Sequence, residues 1–180
     1  MQLSATKKLV FCAICVALCV VLPMAFHALG SGTVFLPMHV PVLLCGLVCT
    51  WPYGVVCGLL GPLLSSVLTG MPAMGYLPCM MVELGAYGLL CGLFMKFVRT
   101  GKIYADLYIS LVGGLLIGRV IAGLFRALIF SPGSYSLAAW ATGYFVTCLP
   151  GLVIQLVLVP SIVFALMKAR LVPMRYPAKH

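Results

Sequence analysis

Six long apolar runs divide the chain: Leu9 to Leu29, Leu36 to Thr50, Tyr53 to Thr69, Leu77 to Val98, Leu107 to Phe130 and Trp140 to Met167. A helix that crosses a hydrocarbon core of about 30 Å needs about 20 mostly apolar residues. The pattern therefore predicts an all-α integral membrane protein, a bundle of six transmembrane helices forming a single domain over residues 1–180. An even number of crossings returns the N and C termini to the same side. Thr50-Trp51-Pro52 is so short a link that the second and third helices should form a tight hairpin. Small residues recur four apart, at Ala13 and Ala17, Gly54 and Gly58, Gly88 and Gly92, and Gly114 and Gly118. In lipid this spacing lets helix backbones approach closely. For the glycines it predicts packing inside the bundle, whereas Ala13 and Ala17, on a terminal helix, are equally suited to meeting another protein.

Composition sharpens this picture. Charged residues make up 7% of the 180 residues against about 25% in soluble domains, which excludes a soluble globular enzyme. The net charge of +9 would suggest nucleic acid only if the cations formed one surface patch. They fall instead before the first run (Lys7, Lys8), between the fourth and fifth (Lys96, Arg99, Lys102) and after the last (Lys168, Arg170, Arg175, Lys179). The links Gly30 to Phe35, Gly70 to Tyr76 and Ser131 to Ala139 carry no Lys or Arg. Positive loops stay inside, so both termini are expected to be cytoplasmic and the uncharged links to face outward. The run after Lys7 and Lys8 continues past Pro23 without a persuasive small-residue cleavage site and is read as a span, not a removed leader. The nine cysteines lie mostly within apolar runs and read as small packing residues, with no zinc-type spacing. No Walker sequence, nucleophile elbow or H-E-x-x-H is present, so no catalytic or metal-binding residue and no cofactor is expected, and uphill transport would draw its energy from a partner or from ions.

The informative residues are the charges inside the runs, since an ionisable group at a bilayer's centre costs about 2.5 to 3.5 kcal/mol even on lenient scales. These are Glu83, Arg119 and Arg126. Glu83 sits six residues into the fourth run, roughly 9 Å below the outer surface at 1.5 Å per residue. The two arginines are seven apart and share a helical face. All three converge in the outer half of the bundle, with His27, His39 and Gln155 at similar depth. Glu83 could simply neutralise one arginine, but the second would remain unpaired. One carboxylate against two guanidiniums gives a site of about +1, suited to carboxylate or phosphate. His27 reads better as an interfacial histidine than as a ligand contact. His39 lies between Pro37 and Pro41, where irregular backbone must line protein or water. The Gly-, Ser- and Pro-rich outer links could act as lids or serve as plain connectors.

Several segments together resemble the substrate-binding S components of energy-coupling factor (ECF) vitamin transporters. They are Phe35-Leu36-Pro37-Met38-His39-Val40-Pro41-Val42-Leu43-Leu44-Cys45-Gly46, Gly61-Pro62-Leu63-Leu64-Ser65-Ser66, Leu68-Thr69-Gly70-Met71-Pro72 and Met80-Met81-Val82-Glu83-Leu84-Gly85-Ala86-Tyr87-Gly88. The resemblance implies a multi-pass subunit of the prokaryotic plasma membrane that captures a micronutrient from outside. It implies a transmembrane T component docking on the face of Ala13 and Ala17, and two cytosolic ATPase subunits that bind the ATP. It also implies a gate in the first outer loop, at Gly30, Ser31 and Gly32, and a pocket at the outer ends of the later helices, where Glu83, Arg119, Arg126, His39, Tyr87 and Gln155 are the candidate contacts. Tyr76, Tyr135, Trp140 and Tyr144 also line the outer side. The two arginines rank pantothenate first and folate second. Haem follows, with its propionates on the arginines and His27, His39 or a Met at the iron, as does another vitamin or precursor. A solitary ion-coupled transporter would show an inverted repeat, and a lipid-modifying enzyme would need a nucleophile, base or metal cluster; neither signature is found.

Overall fold

The computed structural model describes residues 3–28, 35–130 and 136–176, and the side chains of His27, Ala28 and Phe130 lie outside that description. The described residues are helical, with no strand. In chain order the helices are α1 (Ala5–Ala28), α2 (His39–Cys49), α3 (Trp51–Thr69), α4 (Leu77–Phe97), α5 (Ile103–Phe125), α6 (Leu137–Ala141) and α7 (Leu149–Lys168). A π-helical turn, Arg126–Phe130, extends α5, and a second, Thr142–Thr147, joins α6 to α7.

Side chains fix the helix directions. Near one end of α1 and α3, the Cys12 thiol donates to the Tyr53 carbonyl at 3.5 Å; further along, a Cβ on Gly61 would lie 2.9 Å from Cys19. These two helices are therefore parallel. The Cys49 thiol reaches the Lys8 carbonyl and that of Cys19 reaches Met38, both at 3.7 Å, so α2 runs the other way. The hairpin between α2 and α3 turns on Thr50 at φ 91°, as its short link predicts. Between α3 and α4 the contact is backbone on backbone: a Cβ on Gly54 would come 2.5 Å from the Gly88 carbonyl, and one on Gly58 2.5 Å from that of Leu84. The expected close approach of small residues thus occurs, in an antiparallel pair. Gly114 meets Cys91 and Gly118 meets the Tyr87 ring, which sets α5 antiparallel to α4.

The tail after α7 returns to the α4–α5 link. Arg175 Nη2 donates to the Val98 carbonyl at 2.7 Å, and the Tyr176 hydroxyl donates to Asp106 at 2.6 Å. Lys8, the α4–α5 link and Arg175 therefore share one end of the bundle. The start of α2, of α4 and of α7 share the other.

Five helical stretches are long and apolar enough to cross a membrane: Ala5–Phe26, Trp51–Thr69, Leu77–Phe97, Ile103–Ile129 and Leu149–Lys168. The second apolar run departs from the expected full-length helix. Only the eleven residues of α2 are helical after the turn at Leu36 to Met38, and all eleven are buried. That is about 16 Å of helix, a central post packed between α1, α3 and α4. Leu36, ahead of Pro37, is at φ 49°, in the left-handed region, and turns the chain before α2. The sixth run also breaks, into α6, a π-helical segment and α7. Eight cysteines are buried as expected, with Cys148 partly exposed. On α1, Cys12, Cys15 and Cys19 face the bundle, while Val10, Ile14 and Val21 are more than half exposed beside exposed Ala13 and Ala17.

Candidate functional site

The end of the bundle away from the terminal cations holds a cavity of about 770 Å3. Its apolar wall comes from Pro23 of α1, from Leu36, Pro37 and Met38, from the α3–α4 link and from Met80. Its polar wall is His39, Tyr76, Glu83, Arg119, Arg126 and Tyr144. On α4, Tyr76, Met80, Glu83 and Tyr87 follow at spacings of four, three and four, which stacks them on one helical face.

The α3–α4 link, which its composition allowed as a lid, is tied down. The Ser65 hydroxyl donates to the Met71 carbonyl and that of Ser66 to the Pro72 carbonyl, each at 2.7 Å. Gly70, in the left-handed region at φ 74°, ends α3 and donates its N–H to Ser66. Among these residues, Gly70 to Ala73 form a fixed wall of the cavity.

Glu83 is 5% exposed and is held from three sides. The Tyr87 hydroxyl donates to Oε1 at 2.9 Å, that of Tyr144 to Oε2 at 3.3 Å, and His39 Nε2 lies 3.4 Å from Oε1. Arg119 is fully buried, and among the described residues none of its three guanidinium nitrogens has a hydrogen-bond partner. Its charge rests instead against π-faces, 5.8 Å from the Tyr144 ring centre and 5.5 Å from that of Phe145. The indole of Trp140 donates to the Arg119 carbonyl at 3.1 Å and fixes the helix there. The expected alternative, Glu83 neutralising an arginine in a direct pair, is not how Arg119 is held. Arg126 lies 5.4 Å over the Tyr76 ring. Withdrawal from water pushes the Tyr76 hydroxyl up to about 12, so it stays a neutral donor at ordinary pH.

Three helices start at this cavity. The residues preceding α2, α4 and α7, namely Met38, Tyr76 and Cys148, all line it. None of the three helices has a side-chain cap or an acidic residue in its first turn. The N-terminus of a helix carries about half a positive charge. Added to two guanidiniums against one carboxylate, the three helix starts give the cavity lining a net positive charge.

Of the residues expected from sequence, His39, Glu83, Arg119 and Arg126 come together on the wall. Tyr87 does not reach the wall; it stands behind Glu83 as a buried donor, under Gly118. Gln155 is fully buried in α7, its amide without a partner among the described residues, and it too is away from the cavity lining. Gly30, Ser31 and Gly32, the expected gate, lie outside the described residues, as do Tyr135 and the His27 side chain. The sequence reading missed the sulfur-rich wall of Met38, Met71, Met80 and Cys148. Of these Met80 was readable, one turn before Glu83.

A family model described as the substrate-specific component of ECF transporters matches residues 7–171. No curated protein and no solved structure matches the chain.

Proposed function

Since the chain belongs to the substrate-specific components of ECF transporters, we propose that its cavity captures an anionic micronutrient, pantothenate ahead of folate. The observation that carries this reading is Arg119, a fully buried guanidinium without a hydrogen-bond acceptor at the wall of a cavity of about 770 Å3. A buried charge without a partner is strongly unfavourable, and a carboxylate offers the planar pair of acceptors that a guanidinium fits. The apolar wall suits the rest of a small organic acid. The role is binding, not catalysis.

The charge distribution favours both termini in the cytoplasm and the cavity facing outward. On this topology α2 and the turn before it together make one of six passes. Its short length is tolerable because irregular backbone at membrane depth needs only protein or a cavity beside it. Subunits of this family work with a T component and ATPase subunits. We assign the docking of that T component to the exposed face of α1 around Ala13 and Ala17, and the energy to two cytosolic ATPases of a prokaryotic plasma membrane.

Thermal unfolding of the detergent-purified chain tests the ligand assignment, because a ligand of the folded state raises apparent stability by mass action. Pantothenate should raise the midpoint, and pantothenol, which lacks the carboxylate, should do so far less. Equal shifts would sink the anionic reading. Ala17→Trp should leave that shift intact and abolish uptake in cells carrying the partner subunits; loss of binding in this variant would remove α1 as the docking face.

A further inference from the structure

Resting on the anionic reading of the same cavity, we propose that the ligand carries, besides its acidic group, a neutral hydrogen-bond donor that meets Nδ1 of His39. His39 is 2% exposed and borders the cavity. Its Nε2 faces Glu83 Oε1 at 3.4 Å. An ionised carboxylate can only accept, so the ring proton lies on Nε2, and in the neutral imidazole Nδ1 then presents a lone pair. A carboxylate fixes the tautomer of metal-bound histidines in the same way. Nδ1 itself is buried and has no hydrogen-bond partner among the described residues.

On the same wall the Glu83 carboxylate is already taken up by the Tyr87 and Tyr144 hydroxyls, and the remaining charge is carried by guanidiniums. The guanidiniums of Arg119 and Arg126 donate only. A carboxylate satisfies those groups and leaves Nδ1 facing another acceptor. A ligand with an acidic group alone would therefore seal an unpaired nitrogen inside the site, a loss of roughly 10- to 100-fold in affinity. Sites built to bond a hydroxyl or N–H reject analogues lacking it for this reason. The ligand class is a hydroxy- or amido-carboxylate whose apolar body lies against Met38, Met71 and Met80.

Calorimetric titration of the full chain in detergent with three probes tests this. Pantothenate has a carboxylate, hydroxyls and an amide N–H; octanoate has the carboxylate and no donor; pantothenol has the donors and no carboxylate. Pantothenate should bind at least about tenfold more tightly than octanoate. His39→Gln places an amide nitrogen where Nε2 faces Glu83 and nothing at Nδ1, so it should erase that preference by weakening pantothenate far more than octanoate. His39→Asn keeps a polar atom at the Nδ1 position and should retain the preference. Octanoate binding as tightly as pantothenate, or an undiminished preference in His39→Gln, would overturn the donor assignment alone. Pantothenol matching pantothenate would overturn the anionic reading beneath it, and binding of none of the three would overturn both.

Discussion

The two ends of the bundle each set an arginine near a buried carboxylate, and they use them in opposite ways. At the end bearing the tail, Asp106 accepts the Thr100 N–H and hydroxyl, both at 2.7 Å, and the Tyr176 hydroxyl at 2.6 Å, with Arg175 Nη1 3.1 Å away as an ion pair. The hydrogen bonds are short, and Arg175 is held both by the ion pair and by the Val98 carbonyl. At the cavity end, Glu83 is held by His39, Tyr87 and Tyr144 at 2.9 to 3.4 Å, and Arg119 is left against aromatic faces. The first arrangement is a fastener that closes the fold. In the second, the carboxylate is occupied by His39, Tyr87 and Tyr144, and the guanidinium keeps its hydrogen-bonding capacity unspent.

The contrast predicts opposite costs. Asp106→Ala leaves Arg175 without its partner and should lower stability by about 3 to 5 kcal/mol, read by denaturation, while ligand affinity in the folded fraction stays unchanged. Arg119→Leu should do the reverse: a loss of about 100-fold in pantothenate affinity, from a charged bond worth up to about 3 kcal/mol, with a thermal midpoint equal to or above that of the wild type. An Arg119→Leu variant that unfolds as readily as the Asp106 variant would make Arg119 a second fastener and erase the distinction. Arg126→Ala, which removes a guanidinium already lying over the Tyr76 ring, should weaken binding less than Arg119→Leu. The smallest effect belongs to Tyr176→Phe, which removes one of several bonds to Asp106 and should cost about 1 kcal/mol, with no change in titrated affinity.

Much of the site was legible because charge in an apolar run is rare and helical spacing is regular. Glu83 and the pair Arg119 and Arg126 could be placed by counting residues, and the structure sets all three at one cavity. What an apolar run does not encode is whether its neighbour is lipid or protein. The second run looked like any other span, yet α2 is buried over its full length. Spacing likewise put Tyr87 on the face of Glu83 without saying which side of that carboxylate is open. Asp106 stands one residue ahead of the fifth apolar run, outside every expected span; Thr100 and the returning tail, 70 positions away, hold it in place. The shared origin of α2, α4 and α7 at the cavity depends on where backbones stop, which side-chain hydropathy records poorly.

The seam between Gly54 and Gly88 limits how this molecule can move. Where main chains touch with no side chains between them, nothing can repack to let one helix slip past the other. Helices α3 and α4 are thus a keel that shifts as one piece, and with it the tethered rim from Gly70 to Ala73. On the proposed function, a ligand is expected to leave by parting the walls that α1, α5 or the segment from α6 to Cys148 contribute.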